Sequence, residues 1–367
     1  GTQMAKIFST NESTVNLTLV GFFFFMAVGI LLFGPLSDKY GRKPLLLGGT
    51  LVYAAFSAAC ALAPSIGVLI GARIVQSLGA GCMMAVSTAM IKDCFEEKQR
   101  NTILAVVQAM SVIAPMVAPV LGAWVVTLSG WRTTFWILAV LGALCFLAVL
   151  ALQETLPGEE RFTGRIIGTL GRLLEVGKNK GFTTFLLSAA MLSAPYMAYV
   201  SVCSYIYINY FSLSETTYSY YFAVNSAAAI LGPICYIKVS KKINPNVMMS
   251  ACVIIALICG GLLLGFGWMA PIAFLLCFLP FTIVESAVRP FSTAILLNQQ
   301  EQDTGSASSL INFTHTVLGS VGMLLGTLNW GSYISGLGIL LIGFSVISLG
   351  MWVLIHKSRI AVKGMNG

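Results

Sequence analysis

The sequence predicts an all-α polytopic membrane protein, and three observations carry that prediction. Apolar types make up 57% of the 367 residues and charged types only 9%, against about 25% charged in an ordinary soluble domain. So few charges cannot cover the surface of a soluble chain of this length. The apolar residues are gathered into runs of about 20 or more, the length a helix needs to cross a bilayer core. These runs lack the period-two alternation of a membrane strand. A soluble enzyme, a nucleic-acid binder and a disordered chain are excluded together, and the net charge of +8 is no sign of nucleic acid.

In chain order the predicted spans are eleven: 15–33, 45–63, 66–91, 102–129, 133–152, 182–211, 217–237, 247–267, 271–297, 306–328 and 334–355. Several exceed the minimum length, which implies tilt. The connections alternate between very short and charged. Alternate connections collect the cations: Lys39, Arg42 and Lys43; Lys92, Lys98 and Arg100; Arg161, Arg165, Arg172, Lys178 and Lys180; Lys238, Lys241 and Lys242; and the tail with Lys357, Arg359 and Lys363. The opposite set holds Lys6 and Arg132, while Arg73 and Arg289 lie inside spans. Basic loops face the cytoplasm, so the C-terminus is expected there and residues 1–14 outside. The one long connection, 154–181, divides the chain into an N-terminal bundle (1–153, five visible helices), a cytoplasmic linker and a C-terminal six-helix bundle (182–367). Five helices against six, with no secretory signal, suggest that one helix precedes the first visible span and that the expected total is twelve. A faint repeat supports two related halves: Gly34-Pro35 and Gly232-Pro233 each close a span ahead of a basic loop.

Nine cysteines form no CxxC pair, and all but Cys94 lie within apolar runs, as small buried thiols do. No metal-ligand, nucleophile or cofactor constellation appears, so neither an enzyme, a metal site nor a cofactor is expected.

Four stretches carry more meaning. Gly34-Pro-Leu-Ser-Asp38-Lys39-Tyr-Gly41-Arg42-Lys43 combines turn glycines with Asp38 and Arg42 at i,i+4 pairing distance. In the third span, Arg73-Ile-Val-Gln76-Ser77-Leu-Gly79-Ala-Gly81 sets an arginine beside small residues that admit a neighbouring helix. A buried arginine is costly unless it is paired or faces water. The fourth span holds Pro115 and Pro119, four apart, followed by Gly122; two lost hydrogen bonds on one face make a kink. In the ninth span Glu285 is the single carboxylate well inside a membrane segment, with Arg289 one turn later on the same face. An intramembrane carboxylate is a proton or cation site by default; a structural ion pair is the alternative.

The first of these stretches resembles the signature loop of the major facilitator superfamily, G-x-L-x-D-K/R-x-G-R-K, at every defining position. In that family it joins the second and third helices, in keeping with one helix upstream. The Arg73 stretch resembles the R-x-x-Q-G motif of the family's drug/proton antiporters, with Ser77 in place of the usual glycine. The proline pair resembles the antiporter motif G-x-x-x-G-P-x-x-G-G, with alanines for some glycines. Gly130-Trp131-Arg132, Glu154-Thr-Leu-Pro157, Phe222-Ala-Val-Asn225 and Gly305-Ser-Ala-Ser-Ser-Leu310 extend a similarity to the bicyclomycin-resistance and chloramphenicol/florfenicol-exporter branch (Bcr/CflA) over nearly the whole chain. The resemblance implies proton-coupled multidrug efflux by alternating access across the inner membrane of a bacterium. It implies a proton-handling role for Arg73, and Gly34, Asp38, Lys39, Gly41, Arg42 and Lys43 as a gating loop; Glu285 and Arg289 join Arg73 as candidate charge handlers from their place inside a span. The expected partners are a small lipophilic drug, protons and membrane lipid, with the chain a monomer driven by the proton gradient. Gln76, Gln108, Tyr196, Tyr199, Asn225 and His315 are candidate cavity residues, each with a packing role as its alternative. An exporter of one narrow metabolite class, such as an amino acid or sugar, and a transport-inactive relative are the competing readings.

Overall fold

The computed structural model describes residues 2–10 and 12–365, the side chains of residues 2, 3, 5, 12, 13, 15–17, 19, 20, 115, 116, 119, 120 and 123 excepted. It is helical throughout, with no strand among the described residues. Ten of its helices are long and apolar enough to cross a membrane. The run at 102–129 lies within one further long helix, Glu97–Ser129, which contains several of the excepted side chains.

The chain forms two compact units, Gly1–Phe95 with Val117–Val176 and Gln300–Phe313, and Glu96–Met116 with Gly177–Gln299 and Thr314–Gly367. In the first, a short α1 (Thr2–Ile7) precedes α2 (Glu12–Tyr40), which packs on α4 (Ile66–Cys94). Helix α3 (Arg42–Ala61) packs on α4 and on α6 (Trp131–Ala151). Small residues make these crossings tight. A Cβ on Gly81 would meet the backbone of Met26 and Ile30 in α2, and one on Gly79 the backbone of Gly49 and Tyr53 in α3. Such close approach replaces the hydrophobic drive that is absent between helices in lipid. The helix Glu97–Ser129, which is α5, is shared between the units by sequence position.

The second unit repeats this internal plan. Helix α10 (Glu215–Val239) packs on α12 (Pro271–Leu297), and α11 (Pro245–Phe266) packs on α12 and on α14 (Tyr333–Lys357). The weak Gly-Pro repeat therefore marks a real correspondence. Gly34 lies where a Cβ would collide with Ser309 of α13 (Thr304–Gly326), and Gly232 where one would collide with Ser286 of α12. Each glycine admits a serine from a neighbouring helix.

Two elements depart from the sequence expectations. The sixth predicted span is one transmembrane run, Lys180–Tyr210, but it is composite. Helix α8 (Lys180–Ala190) ends at Met191, α9 (Ser193–Ser204) restarts at once, and a π-helix, Tyr205–Tyr210, closes it. Pro195 lacks the N–H that would continue α8, yet it fits the first turn of a new helix. The stretch 154–181, expected as a linker, contains the 13-residue helix α7 (Ile166–Lys178). It is too short to cross a bilayer, and Ile166, Ile167 and Leu174 stay exposed on it while Thr169 and Val176 are buried.

Candidate functional site

The basic loop forms a closed ionic cluster. Only Gly41 separates α2 from α3, at φ 94°, a conformation that glycine adopts without strain. This reversal drops Arg42, 1% exposed, among three acceptors. Its Nη1 donates to Asp38 Oδ1 at 2.8 Å and to Ser37 Oγ at 2.7 Å, and its Nε to Asp93 Oδ2 at 2.8 Å. The i,i+4 spacing predicts the Asp38 pair. Asp93 is the partner that sequence reading missed, because it lies 51 positions away and only the packing of α3 on α4 brings it near. Asp38 also caps a helix. Its carboxylate accepts from the backbone N–H of Gly305 at 2.7 Å and of Ser306 at 3.0 Å, at the N-terminus of α13, where orphan donors and the helix dipole favour an anion. Ser308 Oγ donates to the Ala85 carbonyl of α4 and Ser309 Oγ to the Ile30 carbonyl of α2. The first turns of α13 are thus latched to α2 and α4 by one carboxylate and two hydroxyls.

A second carboxylate braces the same corner. Glu154 accepts from the backbone N–H of Arg42 at 2.8 Å, of Lys43 at 2.9 Å and of Leu156 at 3.0 Å, and so acts as a cap for α3 from outside it. Partial burial alone would raise its pKa, but the Leu156, Arg42 and Lys43 donors and the Arg161 charge hold it below the ordinary carboxylate value. Lys39 Nζ reaches the Gly164 carbonyl, and Lys43 Nζ the Leu150 carbonyl. Arg172 on α7 makes a two-pronged contact with Asp303 at 3.1 and 2.6 Å, just ahead of α13.

Arg73, on α4, sits deeper. Its Nη1 donates to Gln76 Oε1 at 2.8 Å, and Gln76 Nε2 donates on to Ser57 Oγ of α3 at 2.7 Å. The guanidinium lies 4.2 Å from the Phe22 ring centroid and 5.5 Å from that of Phe135. Among the described residues no carboxylate pairs with it. Gln76 is fully buried and spent on this chain of hydrogen bonds. Ser77 turns its hydroxyl to the Ile74 carbonyl of its own helix.

The second unit gathers the remaining candidates around α12. Glu285 is 6% exposed, and among the described residues its carboxylate has no ion pair or hydrogen bond. Arg289, one turn on, is near enough to act electrostatically on both Glu285 and His315, and Glu285 acts likewise on Tyr196. His315 Nδ1 shares a 2.7 Å hydrogen bond with Ser193 Oγ of α9, and its buried Nε2 has no partner among the described residues. Asn225 of α10 accepts from Thr282 of α12 at 2.8 Å. Tyr199 is stacked 4.3 Å from Phe278, with its buried hydroxyl unpartnered among the described residues, while Tyr196 is half-buried beside it. Gln108, on α5, is half-buried without a side-chain partner among the described residues. The side chains of Pro115 and Pro119 lie outside the described residues; Gly122 has open space where a Cβ would stand. An intramembrane carboxylate with a cation one turn away, a histidine and two tyrosine hydroxyls form a group able to hold a proton or a polar substrate atom.

Comparison with known proteins agrees with this architecture. A family model described as Major Facilitator Superfamily matches residues 2–323. The uncharacterized MFS-type transporter YdgK of Bacillus subtilis is 30% identical over 327 residues, covering 87% of this chain and 81% of its own length. A bicyclomycin resistance protein homolog of Haemophilus influenzae is 26% identical over 334 residues, covering 89% and 82%. Among solved structures, the E. coli fucose:proton symporter FucP superposes with a TM-score of 0.75 over 95% of this chain and 92% of its own, at 16% identity, a likeness of fold alone.

Proposed function

The chain belongs to the major facilitator superfamily, and from that premise we propose that this transporter exports lipophilic drugs from a bacterial cytoplasm in exchange for protons, by alternating access. The observation that carries the reading is Glu285, an acid enclosed in a membrane bundle with no ion-pair partner among the described residues. Desolvation penalises its charged form unless a proton, a cation or a polar ligand compensates. Loading Glu285 with a proton and loading the neighbouring group with substrate then become competing events, which is the requirement for exchange. The drug class rests on the bicyclomycin resistance homolog. The orientation rests on the placement of basic residues: the C-terminus and the Asp38–Arg42 cluster would face the cytoplasm, in the inner membrane. There the latch of Asp38 on the first turn of α13 would hold one conformational state, and its release would permit the other. Arg73, without a carboxylate partner among the described residues, would attract the charge that a passing proton leaves behind.

Everted membrane vesicles acidified inside and loaded with an acid-trapped fluorescent dye test this. Chloramphenicol, bicyclomycin or a lipophilic cation is expected to release protons and restore fluorescence. Glu285→Gln is expected to abolish that response at normal membrane abundance; an unchanged response would remove Glu285 from the coupling. Release by one amino acid or sugar and by none of the drugs would replace the multidrug reading with that of a narrow metabolite carrier.

A further inference from the structure

At the N-terminal end of α14, a helix of 25 residues and so about 37 Å away from its basic C-terminal end, the second unit holds a cavity of about 430 Å³. That volume lies in the range of small-molecule sites. Its walls come from the π-helix, from the end of α13 and from the turn into α14. Tyr205, Asn209, Tyr210, Trp330, Ser332 and Tyr333 supply its rings and polar groups, and none of the lining residues is charged.

Three features separate this cavity from an ordinary belt of interfacial aromatics. First, its walls are held in place. Tyr205 and Tyr333 stack at 5.7 Å, and the Trp330 indole donates to the Leu325 carbonyl at 2.7 Å. Gly336 leaves the room in which that indole lies, since a Cβ there would collide with it. Second, the backbone is unusual. The π-turn, with Phe211 N–H bonded to the Ile206 carbonyl at 3.0 Å, is a rare element that recurs at functional sites. Third, polar groups at the mouth are left over. The Asn209 amide, the Ser332 hydroxyl and the hydroxyls of Tyr205 and Tyr333 have no hydrogen-bond partner among the described residues.

We propose that this cavity is a binding subsite for a neutral aromatic molecule bearing hydroxyl or amide groups. The rings would take its aromatic face, and the free amide and hydroxyl would take its polar edge. No charged side chain in the lining would pair with an anion, whose desolvation the ring faces do not offset. As a subsite on the exit path it rests on the efflux reading; as a binding site it does not.

Chloramphenicol is a suitable probe, being neutral, with a nitrophenyl ring, two hydroxyls and an amide; the nitrophenyl group quenches indole fluorescence on contact. The full chain in lipid nanodiscs is expected to show saturable quenching. Trp330→Phe should remove most of it while equilibrium dialysis still detects binding. Tyr205→Ala and Asn209→Leu, both at exposed positions, should each weaken binding about three- to tenfold. Saturable quenching that survives Trp330→Phe, with affinity unchanged in the other two variants, would place the probe elsewhere and overturn the proposal. Quenching that rises linearly without saturating would mean partition into lipid and overturn it equally. Loss of drug-driven proton release in vesicles with these binding results intact would remove the efflux reading and leave the site standing.

Discussion

Gly41 and Glu154 show how single residues set the corner between α2 and α3. At φ 94°, Gly41 tolerates no side chain without backbone strain, and a Cβ would come within 2.8 Å of Glu154 Oε2 and 2.9 Å of Arg161 Nη2. Gly41→Ala is therefore expected to destabilise the protein by about 1–2 kcal/mol, read as a lowered Tm in detergent. Arg42 stands to lose more. Asp93→Asn would leave the buried guanidinium with Asp38 as its one charged partner among the described residues, and losing one charge-assisted hydrogen bond costs about 1.5–3 kcal/mol; a lowered Tm is expected. Glu154 predicts a pH dependence. Its folded pKa lies below the unfolded value of about 4.3. It therefore contributes stability above that value and loses the contribution as pH falls through the folded one. Tm measured from pH 6 down to 3 is expected to fall more steeply for the wild type than for Glu154→Gln; parallel curves would refute the role of the three N–H donors.

Between helices, the deciding quantity is how closely two backbones approach. Gly232 of α10 meets Ser286 and the Ile283 carbonyl of α12 with no room for a methyl group, whereas Gly261 of α11 has nothing within 4 Å of where its Cβ would stand. Both lie inside apolar helices, and the sequence does not say which of them a neighbouring helix approaches. Gly232→Ala is expected to cost about 1–3 kcal/mol by overpacking, while Gly261→Ala should be neutral or slightly stabilising by helix propensity; thermal unfolding of the two variants separates them. The restart of the sixth span at Ser193 has a local cause instead. Pro195 announces a helix start, but the whole run is apolar enough to read as one span.

Over the whole molecule, topology follows from where the cations lie. In a cysteine-free background, Ser358→Cys is expected to react with an impermeant thiol reagent in everted vesicles and Ser332→Cys in right-side-out cells; the reverse pattern would invert the orientation and with it the direction proposed for transport. The all-helical class, the positions of ten of the eleven predicted spans and the family were legible in the chain, because a bilayer demands long apolar runs whatever the tertiary contacts. The Asp38–Arg42 pair was legible too, since i,i+4 neighbours on a helix meet by local geometry. Asp93, the cap that Asp38 places on α13, the burial of Gln76 and Tyr199, and the cavity beside Trp330 were not. Each depends on residues far apart in sequence, which only the packing of helix on helix brings within a hydrogen bond of one another.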